Sequence, residues 1–338
     1  MLAVSGGVDS MVMLDIFRND DVIVAHFNHG TRPSANDDMD FVLRIADERY
    51  NLGEQSVTRA ANLGEGVSEE AAREARYEFL RAVARMQPVA GEVKLRAWRA
   101  GSLPQGIEIK MTEVYTAHHL DDLVESVAIN LTRGTGWRGL AVLDAPRVRR
   151  PFLEPEILPE ELRKLAPFDK KDILRYAAAR EVRFRQDPTN TSDKYLRNRL
   201  REKLHGGKDG RSTDCTLAEG WRAERKWRTG RQNEQRVKRK IYKLWLRQKQ
   251  LKQEIDELVA WLLPGEGQPW QRSWFENLDE NVALELLRAG TLRAGINATR
   301  PQLEDFRQAV LNYAPGKCFN LPGDRLVKFT KREFWLDF

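Results

Sequence analysis

Ser5-Gly6-Gly7-Val8-Asp9-Ser10 separates an apolar opening, Met1–Val4, from Met11–Phe17, which reads as a helix. A glycine turn between a strand and a helix is where a phosphate loop belongs. Glycines let the backbone approach an anion, and the helix start offers unpaired N–H groups and the positive end of its dipole. Ser5 and Ser10 add hydroxyl donors. No GxxxxGK[ST] is present, so the motif holds no lysine to grip the β and γ phosphates. The pattern is not GxGxxG either, which disfavours a dinucleotide fold.

Working outward, strands alternate with helices over the first ~200 residues, the pattern of a parallel sheet covered on both faces. Val22–Phe27 and Val114–Ala117 read as strands. Helical spacing runs through Phe41, Ile45 and Tyr50, through Ser68–Arg85 with Ser68 as N-cap, and through Leu120–Arg133. The predicted architecture is a doubly wound α/β domain over residues 1–205. A Gly/Ser/Thr/Asp-rich linker follows at 206–220, then a mainly helical domain over 221–338 that ends in a small β hairpin or sheet. Residues 88–113 look like an insertion, a hairpin or loop. Val237, Ile241, Leu244, Gln248, Leu251, Ile255, Leu258 and Leu262 form a heptad seam, expected to be the packing face of a long helix that Pro264-Gly265 ends. Helices about 281–288 and 300–311 come next. Lys317–Leu321, Arg325–Thr330 and Glu333–Asp337 then close the chain as strands.

The 338 residues carry 56 Lys/Arg against 50 Asp/Glu, a formal charge of +6. The distribution says more than the total. Trp221–Lys252 holds 13 basic and 2 acidic residues, which leaves 43 basic and 48 acidic elsewhere. One basic segment on a mildly acidic chain is the footprint of a polyanion partner, or else a solvated helix face. The only cysteines, Cys215 and Cys318, are far apart in sequence, so a reducing compartment is expected. The longest apolar run, Leu258–Leu263, is short of the ~20 residues of a membrane span, and no secretory signal opens the chain. A soluble cytoplasmic protein is the expectation.

Further motifs stand in order along the chain. They are His26-Phe27-Asn28-His29-Gly30-Thr31-Arg32, Ala72-Arg73-Glu74-Ala75-Arg76-Tyr77 and His118-His119-Leu120-Asp121-Asp122-Leu123-Val124-Glu125. Arg133-Gly134-Thr135-Gly136-Trp137, Asp187-Pro188-Thr189-Asn190 and Tyr195-Leu196-Arg197-Asn198-Arg199-Leu200-Arg201 follow. The phosphate loop resembles that of the N-type ATP pyrophosphatases, the PP-loop superfamily. With the later motifs the chain resembles the tRNA(Ile)-lysidine synthetase family, specifically over residues 1–205 and weakly beyond. The resemblance implies an adenine nucleotide alpha hydrolase-like fold and a ligase forming C–N bonds. It also implies ATP with Mg²⁺, free L-lysine and an isoleucine tRNA with a CAU anticodon as substrates. In that family the wobble cytidine is adenylated, and lysine then displaces AMP at C2.

The residue types suit that chemistry. A lysine substrate needs carboxylate partners, and an amine of pKa ~10.4 needs a base before it attacks. Sequence spacing places His118, Asp122 and Glu125 at i, i+4 and i+7, which puts them on one helix face. By resemblance, Asp122 and Glu125 contact the lysine, with Asp122 as the base, and His118 orients a carboxylate or the substrate. Arg197 and Arg201, at i and i+4, neutralise charge on the adenylate or the RNA backbone; Arg73 and Arg76 are weaker candidates. Ser5, Gly6, Gly7, Val8, Asp9 and Ser10 hold the ATP. No resident metal site is read; Mg²⁺ accompanies ATP, with Asp9 or Asp121 as its carboxylate.

Leu123 departs from the family, which usually has Gln there, and Thr31 replaces an apolar residue. Only four residues precede the loop, so a short first strand or a missing N-terminus is expected. A PP-loop tRNA thiolase is one alternative, but it needs paired cysteines. A metal-dependent hydrolase on the HxxH and HHxDD clusters is another, and it leaves the phosphate loop unexplained. A tRNA-binding protein without catalysis is a third. The oligomeric state stays open, a homodimer included.

Overall fold

The computed structural model describes residues 1–30, 35–53, 56–61, 67–85, 113–185, 217–265 and 267–336. Most of the insertion-like 88–113 segment, most of the 206–220 linker, Cys215, Arg197 and Arg201 lie outside the described residues. The chain divides into two compact units, Met1–Leu246 and Arg247–Phe338. The expected division lay at 206–220, but residues from Leu217 onward already belong to a helix, and that helix is part of the first unit as far as Leu246.

In the first unit, β1 (Leu2–Ala3), β2 (Val24–Asn28), β3 (Ser56–Ala60), β4 (Val114–Tyr115) and β5 (Val148–Arg149) form one sheet, ordered β3-β2-β1-β4-β5. Each neighbouring pair is parallel, with Leu2 opposite Val24 and Tyr115, and Val24 opposite Ser56. Side chains alternate across a strand, so successive residues feed opposite faces. Leu2 and Val24 join one core cluster with Met11, Val42, Phe152 and Ile173. Met1, Ala25 and Phe27 join another with Phe79, Leu80 and Val83. The main helices around the sheet are α1 (Val8–Ile16), α2 (Ala35–Tyr50), α3 (Glu69–Arg85), α4 (Leu120–Thr132) and α5 (Lys170–Ala179); α4 packs in a further cluster with Leu153. Ser68 caps α3 as expected, its Oγ accepting the Ala71 N–H at 3.1 Å. Strands β3 and β5 and helix α5 were not anticipated.

A polar hub ties three of these helices. Asp15 of α1 is 1% exposed and accepts the hydroxyls of Tyr50 (α2) and Tyr176 (α5), each at 2.9 Å. Burial and the bond to Asp15 push both phenols above their ordinary pKa. Asp15→Ala strands these hydroxyls, and a loss of about 2–4 kcal/mol is expected, read as a lower urea midpoint at unchanged m-value.

The long helix α6 (Leu217–Leu262) corrects the heptad expectation. Val237 is 52% exposed and Leu244 and Leu251 are exposed, whereas Trp245 is 1% exposed and Lys238 only 5%. In the first unit the inward face is Lys238, Ile241, Tyr242 and Trp245. The last three pack with Leu120, Leu123, Val124 and Leu153. Tyr242 donates to the Leu153 carbonyl at 2.8 Å and Trp245 Nε1 to the Val142 carbonyl at 2.7 Å. A search for aliphatic heptads overlooks this face because a lysine and two amphipathic aromatics carry it. Leu123, the departure from the family pattern, is fully buried against this Trp245 cluster.

The second unit packs the end of α6 (Ile255, Val259), α7 (Glu280–Arg293) and α8 (Arg300–Asn312) with two antiparallel pairs. These are β6 (Trp270–Gln271) with β9 (Glu333–Phe334), and β7 (Cys318–Leu321) with β8 (Arg325–Lys328). Buried Arg272 donates to the carbonyls of Val310, Tyr313 and Thr330 at 2.7–2.9 Å, satisfying the C-terminal end of α8. The unit is helical and closes in strands, as read from sequence. Among the described residues no helix is long and apolar enough to cross a membrane.

Candidate functional site

The strand order places β1 at the centre, with β2 on one side and β4 on the other. Chain direction diverges between β1 and β4, and a crevice opens where their carboxyl ends part. The loop after β1 is Val4–Gly7; the loop after β4 is Thr116–His119. Two motifs more than a hundred residues apart therefore meet.

The first loop is internally braced. The Ser5 N–H donates to Ser10 Oγ at 3.1 Å, Ser10 Oγ donates to the Gly7 carbonyl at 2.9 Å, and the two serine hydroxyls lie 3.1 Å apart. Gly6 has φ +89°, the left-handed region, and a Cβ there would meet Val42 Cγ2 at 3.3 Å. Its carbonyl accepts the Arg185 N–H at 2.9 Å, while Arg185 Nε pairs with Asp38 at 2.8 Å. Gly7 is the N-cap of α1 and supplies no side-chain cap, so the first-turn N–H groups are left for an anion.

The second loop enters α4 through His119, not His118. His119 is the N-cap. Its Nδ1 accepts the Asp121 N–H at 3.2 Å, and Asp122 Oδ2 accepts the His119 N–H at 3.0 Å, a capping box with a histidine in the serine position. Because Nδ1 accepts, the ring proton sits on Nε2, which lies 3.6 Å from Asp122 Oδ2 and 3.8 Å from Asp9 Oδ1. His118 precedes the helix, so it does not share a helix face with Asp122 and Glu125. Its Nδ1 lies 3.0 Å from Thr116 Oγ1, and it reaches the same cavity as Asp122 by a loop route.

That cavity, about 500 Å³, is lined by Ser5, Asp9, Ser10, His118 and Asp122, by Arg76 and Tyr77 of α3, and by His26, Phe27 and His29 of the second strand and its loop. The structure thus brings together the phosphate loop, two of the five expected catalytic residues and one of the weaker arginine candidates. Glu125 is 1% exposed on α4 and is not part of the described cavity wall. Arg197 and Arg201 lie outside the described residues.

Several residues escaped the sequence reading. Lys170, the first residue of α5, places Nζ 2.6 and 2.8 Å from the two oxygens of Asp9. The two partners are 161 positions apart in sequence. Asp121, considered above for Mg²⁺, is spent elsewhere: Oδ2 accepts the Lys170 N–H at 2.8 Å, and Oδ1 lies 2.6 Å from Lys238 Nζ. Burial pushes its carboxyl up, but the Lys238 and Lys170 contacts outweigh that and hold it below the ordinary carboxylate value. Asp9 and Asp122 both line the cavity, and Mg²⁺ bound to phosphates needs only one or two carboxylates.

The histidines do not assemble as the hydrolase alternative requires. His26 Nδ1 bonds the Val4 carbonyl at 2.9 Å, and burial lowers its pKa, keeping it neutral. Among the described residues no three His, Cys, Asp or Glu side chains converge as cation ligands.

Comparison with known families matches residues 1–91 and 92–206 to a PP-loop domain, ATP_bind_3. The chain belongs to the PP-loop domain family. Its PP-loop is Ser5–Ser10, and the fold around it is the five-stranded parallel sheet just described. The chain is 33% identical over 207 residues to a tRNA(Ile)-lysidine synthase of Exiguobacterium sibiricum, covering 60% of this chain and 42% of that one. It is 30% identical over 213 residues to a tRNA(Ile)-lysidine synthase of Thermotoga maritima, covering 60% and 44%. A bifunctional protein TilS/HprT of Listeria monocytogenes is 30% identical over 220 residues, covering 60% and 28%. This chain therefore spans less than half the length of these curated relatives. A U34-tRNA thiolase from Methanococcus maripaludis superposes with TM-score 0.38 at 16% identity, over 60% of this chain and 64% of that one.

Proposed function

We propose that this PP-loop chain is a ligase that attaches lysine to C2 of the wobble cytidine in a CAU-anticodon isoleucine tRNA, using ATP. The observation that carries the reading is the shared cavity: the PP-loop, His118 and Asp122 converge on it, within the region that is similar to lysidine synthases. In the first step the O2 oxygen of cytidine attacks the α-phosphorus of ATP and pyrophosphate leaves. In the second the amine of lysine, having given up a proton, attacks C2, and AMP departs with the oxygen.

Each described residue has a task in this scheme. The uncapped start of α1 and the PP-loop backbone receive the phosphates. In the first step Asp9, once Lys170 turns to the phosphates, and Asp122 would hold Mg²⁺, which would shield phosphate charge during attack. Lys170 supplies the phosphate cation that the loop motif lacks. The apolar part of the wall, Ala25, Phe27 and Leu80, suits a planar heterocycle. Asp122 takes the amine proton, with the His119 Nε2–H between it and Asp9 to keep two carboxylates compatible. By family resemblance Arg197 and Arg201 meet the charge of the adenylate, whereas Glu125, 1% exposed and outside the described wall, is not placed at the cavity.

RNA is proposed to lie on the exposed face of α6. There Arg236, Arg239, Lys240 and Lys243 point to solvent, while Lys238 does not. Replacing those four by Ala is expected to weaken tRNA binding and reduce its salt slope by up to about 3. Filter binding from low to moderate salt measures this, and an unchanged slope would put the RNA elsewhere. The reading as a whole is tested by ATP–pyrophosphate exchange. Exchange that appears only with the CAU isoleucine tRNA supports it, whereas exchange indifferent to tRNA, or none, refutes it.

A further inference from the structure

The inward polar residues of α6 end on the helix starts that carry the site. Lys238, 5% exposed, pairs with Asp121 of α4 at 2.6 Å and with Glu234 at 2.6 Å. One turn away, Gln235 Nε2 donates to Asp169 Oδ2 at 2.6 Å. Asp169 is the N-cap of α5, its other oxygen accepting the N–H groups of Lys171 and Asp172. Asp121 in turn accepts the Lys170 N–H, so the two helix starts are joined to each other as well as to α6. Beyond them lies the site: Lys170 Nζ on Asp9, His119 between Asp9 and Asp122. Below this polar layer, Trp245 and Leu123 form an apolar one. The helix that carries the basic surface is thus fastened at two charged or polar points to the residues that flank the PP-loop.

We propose that Lys238 is a positioning residue: through Asp121 it fixes the start of α4, and with it the His119–Asp122 arrangement against Asp9, so that RNA held on the outer face of α6 is registered to the reacting groups. The inference rests on the tRNA-ligase reading and adds how the RNA surface and the phosphate site are coupled. Lys238 lies within the basic segment whose composition suggests a polyanion partner; its burial takes it off that surface and gives it this role. A methionine stem keeps the length of the side chain and removes the charge. The charge on Asp121 would then be stranded in the interior, so Asp121→Asn combined with Lys238→Met is the more telling variant; Glu234, the other partner, keeps part of its side chain in water. An asparagine oxygen still accepts the Lys170 N–H.

The experiment compares wild type, K238M, K238R and the D121N/K238M double variant, with thermal unfolding recorded for each. Measured are tRNA affinity with its salt slope, and kcat and KM for tRNA in ATP–pyrophosphate exchange. The expected result is a folded double variant with tRNA affinity and salt slope within about twofold of wild type. Its kcat should be at least tenfold lower, with KM for tRNA unchanged and K238R regaining part of kcat. A residue that only stabilised the fold would move the unfolding temperature without this split. A folded variant with wild-type kcat overturns the proposal. So does one whose tRNA affinity and salt slope fall together, since Lys238 would then be a phosphate contact. If the wild type itself shows no tRNA-dependent exchange, the ligase reading fails and the coupling falls with it. A coupling that fails alone shows as an active wild type with unaffected variants.

Discussion

Asp122→Asn is expected to lower the rate of lysine transfer by about 10²–10⁴-fold while the protein stays folded, the span lost with a positioned general base. The argument for an intact fold is local. Asp122 Oδ2 accepts the His119 N–H in the capping box of α4, and an asparagine oxygen accepts the same bond at the same position. What disappears is the charge, and with it the ability to take a proton from an ammonium or to share a cation with Asp9. Asp122 lines the cavity, so the loss falls on bound reactants. Single-turnover transfer from pre-formed adenylated tRNA isolates the step. A variant within threefold of wild type there would place the base elsewhere, with Glu125 the next carboxylate to replace.

Lys170→Met is expected to raise the KM for ATP by about 10–100-fold, the equivalent of roughly 1.4–2.8 kcal/mol and the scale of a charge-assisted hydrogen bond. Lys170→Arg should recover part of it. The side chain sits at the first position of α5 and spans both oxygens of Asp9, so a cation is already poised at the mouth of the PP-loop. The alternative is a surface ion pair, since Lys170 and Asp9 are 41% and 31% exposed at the side chain. Such a pair contributes about 0–1 kcal/mol to stability and nothing to ATP affinity. Equilibrium titration with a non-hydrolysable ATP analogue separates the two. Unchanged affinity with a slightly lower melting temperature would reduce the pair to a surface contact.

The phosphate loop was legible because its chemistry is local: a strand, a glycine turn and a helix start within ten residues suffice to bind an anion. The alternation of strands and helices was legible for the same reason, and so were helix starts with side-chain caps such as Ser68. Strand β3 was not, because Ser56–Ala60 has a weak apolar pattern and owes its conformation to pairing with β2. His119 was overlooked as a cap because histidine rarely fills that position; the signal was Asp122 three residues later, where a capping box puts its acid. Lys170 and the Asp121–Lys238 pair were beyond reach. Their partners lie 161 and 117 positions apart, and no period or spacing links a lysine to a carboxylate across such a distance. Lys238 shows the limit of charge counting: among the described residues of the basic segment it is buried, while Arg236, Arg239, Lys240 and Lys243 are exposed. Composition could not tell which side of this helix packs: Lys238 and Trp245 face inward, whereas those four stay exposed.

Joining lysine to a tRNA base at this PP-loop is a covalent event that can be observed on its own. It is tested most directly by incubating the protein with ATP, radiolabelled lysine and the CAU isoleucine tRNA transcript, beside a transcript with the wobble cytidine replaced. The expected result is acid-precipitable label that requires ATP and the wobble cytidine and is lost with Asp122→Asn. Label that ignores the wobble base, or no label from a folded protein that binds both ATP and the tRNA, would contradict it.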